Sequence, residues 1–193
     1  MEEHPDYNNL IQRIESSGYK IVSDNSANPS AFVEVKDIVD AEGKRIRLEK
    51  TLQVFKGMRY LDLEHEFGHI EQIEKFGDIS LPTRRYTITK KGTLREFHNQ
   101  SGVITSKLND ILEYHNRLKE FLRLYERKAN VELLKEHATG VGSFRMDASK
   151  AMISPNMKKW VNENFPDLFE LEIEYQRIGG REYEQKTGRT RGI

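Results

Sequence analysis

The sequence predicts an α+β domain: a small, mostly antiparallel sheet, a helix carrying two histidines, and a long glutamate-bearing helix later in the chain. Three observations predict it. Residues 18–56 alternate apolar and polar positions around turn-forming residues, Met58–Phe76 repeats its apolar positions at intervals of three and four, and Thr105–Ala138 does the same. A chain of 193 residues, 36% hydrophobic and 32% charged, suits one well-buried core, so a single domain over 1–193 is expected, alone or as the C-terminal module of a longer parent.

Asp6–Ser16 reads as a short amphipathic helix through Leu10, Ile11 and Ile14, and Gly18 leads into a strand over Tyr19–Ser23. The Asn, Ser and Pro of 23–30 mark a loop, and Ala31–Phe55 reads as two strands about a Glu42–Gly43 turn. From Met58 the rows Leu63/Phe67/Ile70 and Leu61/Ile73/Phe76 specify a helix stopped by Gly77. Leu81–Gln100 predicts a second hairpin turning at Lys91–Gly92. Its five basic residues form the one local cationic cluster, read as a solvated hairpin because the domain as a whole is neutral.

Leu108, Ile111, Leu118, Leu122, Tyr125, Ala129 and Leu133 place one long helix over Thr105–Ala138, ended by Thr139–Gly140. Its length of about 34 residues favours a break, which Asn116 would host. Ser154–Phe165 reads as a short helix stopped by Pro166; Leu171–Ile178 and the polar tail receive no element.

Charge narrows the partners. Thirty-one basic and thirty-one acidic residues cancel, leaving no global field for nucleic acid or an anionic bilayer. No run of about 18 apolar residues exists, and the first residues lack a basic start and an apolar core, so neither a membrane span nor a signal peptide is expected. With no cysteine in the chain, a transition metal would have to be held by His, Asp or Glu.

The stretch LEHEFGHIEQ, Leu63–Gln72, supplies such ligands. On a helix His65 and His69 stand one turn apart, about 6 Å between Cβ atoms, and both reach an ion at ~2.0–2.1 Å. Glu66, offset by one residue, lies off the ligand line but near it, where a carboxylate takes a proton from a metal-bound water. Chance would produce His-Glu-x-x-His about 0.02 times in a chain of this composition. Gly68, costing about 1 kcal/mol inside a helix, indicates a close neighbour there.

A catalytic zinc keeps one position for water and takes a third protein ligand. Glu126 shares a row with Leu122, Ala129 and Leu133, where a carboxylate needs a compensating charge, so it is the expected third ligand. His115 and His137 lie 11 residues from Glu126, about 16 Å along an unbroken helix, too far to share its ion. His98 is the alternative third ligand; His4 has no expected role.

His-Glu-Phe-Gly-His (65–69) together with Tyr125–Asn130 (YERKAN) resembles the zincin metallopeptidases, in their two-histidine, one-glutamate branch. The resemblance implies a zincin-like fold, Zn²⁺ on His65, His69 and Glu126, and Glu66 as catalytic base. It places Asn130 where the family has an aspartate hydrogen-bonded to the first histidine. Residues 25–35 with 58–72 resemble the metallopeptidase-toxin domains of bacterial polymorphic toxins. That resemblance implies a domain exported within a larger protein, active in a target cell's cytoplasm and blocked in the producer by an immunity protein. Zincins that cleave a repressor after stress are a second likeness, but their further histidine is absent from Ile70–Ile73.

The expected chemistry is peptide hydrolysis of a protein or peptide substrate. Tyr86, His98, Tyr114 and Tyr125 are candidate oxyanion donors, and an edge strand of the first hairpin is the expected substrate rail. The rivals are a non-enzymatic protein-binding module, its metal structural or absent, and a nuclease using the basic hairpin.

Overall fold

The computed structural model describes residues 6–76, 84–96 and 102–185, which hold seven helices and a five-stranded mixed sheet. The chain clusters into two compact units, 1–105 and 106–193. Among the described residues no helix is long and apolar enough to cross a membrane.

In the first unit, α1 (Tyr7–Ser16) and β1 (Lys20–Asp24) fall where the apolar spacing puts them. β2 (Phe32–Val39) and β3 (Arg45–Phe55) form the expected hairpin. Its turn is set by Asp40, whose Oδ1 accepts the Glu42 and Lys44 amides at 3.1 and 2.8 Å, and by Gly43 at φ 82°. α2 (Tyr60–Phe76) carries the chain to β4 (Arg84–Ile88) and β5 (Leu94–Glu96), which turn at Gly92, φ 76°.

The strand order is β1-β3-β2-β4-β5. β2·β3 and β4·β5 are antiparallel, but β1·β3 and β2·β4 are parallel, so the mostly antiparallel sheet expected from the two hairpins is corrected to a mixed one. The reason is non-local pairing: the hairpin inserts β3 beside β1, and α2 returns the chain past β3 to the free side of β2. Both strands of the first hairpin therefore have partners on each side. Neither is an edge, which corrects the substrate rail expected there; among the described residues β1 and β5 are the edges. As an inner strand, β2 is buried on both faces at its end, through Asp37, Ile38 and Val39. Asp37 is neutralised by Arg45 across the hairpin, Nε to Oδ1 at 2.7 Å.

The core of this unit joins Leu10 and Ile14 of α1, Val35 and Leu52 of the sheet, and Leu63, Phe67 and Ile70 of α2. One face of α2 is thus fixed against the sheet. Asp62 holds the start of α2, its Oδ2 accepting the Arg59 amide at 3.2 Å.

In the second unit, the long helix is two helices, α3 (Gly102–Glu126) and α4 (Val131–Ala151), and Asn116 lies unbroken inside the first. The break falls at Arg127–Asn130. Lys128 takes a left-handed conformation, φ 56°, while the Ala129 amide bonds Leu124 O at 3.0 Å, a helix C-terminus of Schellman type. α4 runs on through Thr139–Gly140, since a glycine without a following turn residue lowers helix propensity but does not end a helix. α5 (Pro155–Asn164), α6 (Leu168–Arg177) and α7 (Gly180–Tyr183) complete the unit. Phe121 of α3 meets Tyr175 of α6 edge-on at 4.9 Å, and the Tyr175 hydroxyl lies 2.8 Å from Glu184 Oε1, itself held by Arg145.

Candidate metal centre

Position along α2 decides which way its histidines face. At 100° per residue, His65, His69 and Gln72 stand about half a turn round from the Leu63/Phe67/Ile70 row that packs on the sheet. His65 and His69 are half-buried, their ring centroids 5.0 Å apart and their planes perpendicular. Gly68 and Gln72 on the same side are buried. Gln72 Oε1 accepts a hydrogen bond from His69 Nδ1 at 2.9 Å.

His65, His69 and Glu113 each offer one ligand atom, and the three atoms lie within 4.8 Å of one another. A tetrahedral site with bonds of ~2.0–2.1 Å sets its ligand atoms about 3.3 Å apart, inside that 4.8 Å limit. Two imidazoles and one carboxylate are the donor set of a three-ligand catalytic metal site, and in a chain without cysteine they are the chemistry to be expected. Glu66 is half-buried on the same helix, outside the ligand group, as its one-residue offset requires.

Glu126 is not in this group. It is the last residue of α3 and exposed, thirteen residues beyond Glu113, about 20 Å along the helix axis. The apolar row that pointed to it is real, but by Tyr125, 40% exposed, that row has run out past its cover. Asn130 is corrected too. Its side chain accepts the Leu133 amide at 2.9 Å and caps α4, so YERKAN is the turn between two helices.

Glu113 was hidden by its neighbours. In the middle of α3 Leu112, Tyr114, His115 and Asn116 are buried on either side of half-buried Glu113, so no row there is purely apolar. The available signal was polar: Glu113, Asn116 and Glu120 repeat at three and four, an unusual line of polar side chains through the buried part of a helix. Arg117 Nε stands 3.5 Å from Glu113 Oε2, at the outer limit of a hydrogen bond.

The remaining candidates are otherwise engaged. Tyr114 is buried and donates to Glu172 Oε1 at 2.5 Å; burial and this carboxylate hold its phenol protonated far into alkali. Tyr125 stands twelve residues beyond Glu113 and is half-exposed. His115 Nε2 is 3.0 Å from Asp167 Oδ2, and His137 is paired with Glu120 in the interior. His4, His98, Gly77 and the side chain of Tyr86 lie outside the described residues. No protein-family model, curated protein or solved structure matches the chain.

Proposed function

We propose that this chain is a zinc-dependent metallopeptidase of zincin-like fold, with His65, His69 and Glu113 holding the ion and Glu66 as general base. One observation carries the proposal: a carboxylate distant in sequence meets the two imidazoles of a His-Glu-x-x-His helix within 4.8 Å. The sheet supports the reading by holding α2 through Leu63, Phe67 and Ile70, which leaves the histidine face for the ligands.

Zinc held by these residues would lower the pKa of a bound water towards about 7 and polarise a scissile carbonyl. Glu66 would accept a proton from a water in the site and return it to the leaving amine, a task its place beside the first histidine suits. Gln72 holds His69 in one orientation. Tyr114, tied to Glu172, and Tyr125, remote on α3, are not the oxyanion donors of this scheme.

The narrower reading, a bacterial toxin domain exported in a larger protein and matched by an immunity protein, rests on the resemblance of residues 25–35 and 58–72 alone. Toxicity on expression inside a bacterial cell, abolished by Glu66→Gln, tests it.

Metal content and peptidase activity of the purified protein test the main proposal. One zinc per chain is expected, and Glu66→Gln should keep that zinc while activity falls by about 10²–10⁴. A Glu66→Gln protein as active as its parent would leave a non-catalytic metal module in place of an enzyme.

A further inference from the structure

Beyond the ligands and the base, α2 carries a residue for which a surface helix has little use. Gln72 is only 5% exposed, although glutamine is a residue of surfaces and its burial needs hydrogen-bonded compensation. It sits three residues after His69, one turn on and on the same side of the helix, with Oε1 2.9 Å from His69 Nδ1.

A carboxamide oxygen only accepts, so the shared proton belongs to the imidazole. A neutral imidazole protonated at Nδ1 presents an unprotonated Nε2, and a metal binds only the unprotonated nitrogen. We infer that Gln72 is a positioning residue: its buried carboxamide fixes His69 as the Nδ1–H tautomer and aims Nε2 at the ion. The inference deepens the metallopeptidase reading and rests on it for the identity of the ion.

The choice of glutamine has a chemical consequence. A carboxylate in this place would raise the basicity of the imidazole, whereas a neutral amide orients the ring without adding charge to a site that already holds Glu113 and Glu66. His65, Glu113 and one carboxamide-held imidazole thus make a centre in which the second histidine is oriented by a neutral group.

Two measurements test this. In the metal-free protein at about pH 8, where imidazole is neutral, ¹⁵N ring shifts report the tautomer of His69 without any metal. The parent should show Nδ1–H, and Gln72→Leu should shift His69 towards Nε2–H. Zinc titration against a competing chelator then reads the affinity: Gln72→Leu should weaken it about 10- to 100-fold, and Gln72→Glu, which keeps an acceptor oxygen, should restore it to the parent value or tighter. Circular dichroism shows that each variant is folded, and the glutamate variant separates a lost acceptor from a disturbed helix. An Nε2–H tautomer in the parent, or a leucine variant with parental tautomer and affinity, would overturn the assignment. A parental Nδ1–H tautomer in a protein that binds no zinc would uphold the role of Gln72 and instead sink the metallopeptidase reading.

Discussion

Replacing Glu113 by glutamine, beside the same change at Glu126, tests the centre where sequence and structure part. Structural zinc bound by four ligands is worth about 10–16 kcal/mol, so an even share is about 2.5–4 kcal/mol per ligand. At about 1.4 kcal/mol per decade, Glu113→Gln should weaken zinc binding by roughly two to three orders of magnitude. Glu126 lies thirteen residues further along α3, about 20 Å away. Its charge would act on a divalent ion with about 0.4 kcal/mol in unscreened water, and a Debye length of about 8 Å reduces that below ~0.05 kcal/mol. Glu126→Gln should therefore leave the affinity within experimental error. Competition with a chromophoric chelator measures both. Parental affinity in Glu113→Gln, or a large loss in Glu126→Gln, would refute the reasoning and return the third ligand to the end of α3.

The other predictions concern the frame. Asn130→Ala removes the cap of α4 and should cost about 1 kcal/mol in urea unfolding, with zinc affinity unchanged; a fall in affinity would give Asn130 a place near the histidines. Zinc at about 100 times its dissociation constant should stabilise the fold by about 2.7 kcal/mol, raising Tm by roughly 5–10 °C, and a chelator should reverse it; an unchanged Tm would speak against a native metal site. Burial and the Glu184 carboxylate raise the Tyr175 phenol above its ordinary value. The folded state therefore holds that proton more tightly than the unfolded chain, and stability, untouched below about pH 10, falls as pH rises beyond it. Tyr175→Phe should reduce that alkaline slope by about 1.4 kcal/mol per pH unit in denaturant titrations at fixed pH; an equal slope would show that the phenol does not resist ionisation.

Local chemistry was legible in the chain. The apolar repeat of Met58–Phe76 dictates α2 and which face it buries, Asp40 with Gly43 and Thr89 with Gly92 dictate the two turns, and His65, Glu66 and His69 share a helix because their spacing is helical. Each of these depends on residues within a turn or two of one another, so the sequence by itself determines them. Gln72 belongs with them, since three residues on a helix suffice to bring it to His69.

What crosses long stretches of chain was decided by the tertiary structure. Parallel pairing of β1 with β3 and β2 with β4 depends on the path of connections, to which alternation within a strand is blind. The proposed third ligand, Glu113, stands far along the chain from the histidines. Helical periodicity ranks faces, and it ranked the face of Glu126 as apolar; burial, which only packing supplies, ends before Glu126 and covers the polar row of Glu113. A periodic pattern states which side of a helix is turned inward, but not how far along its axis the inside extends.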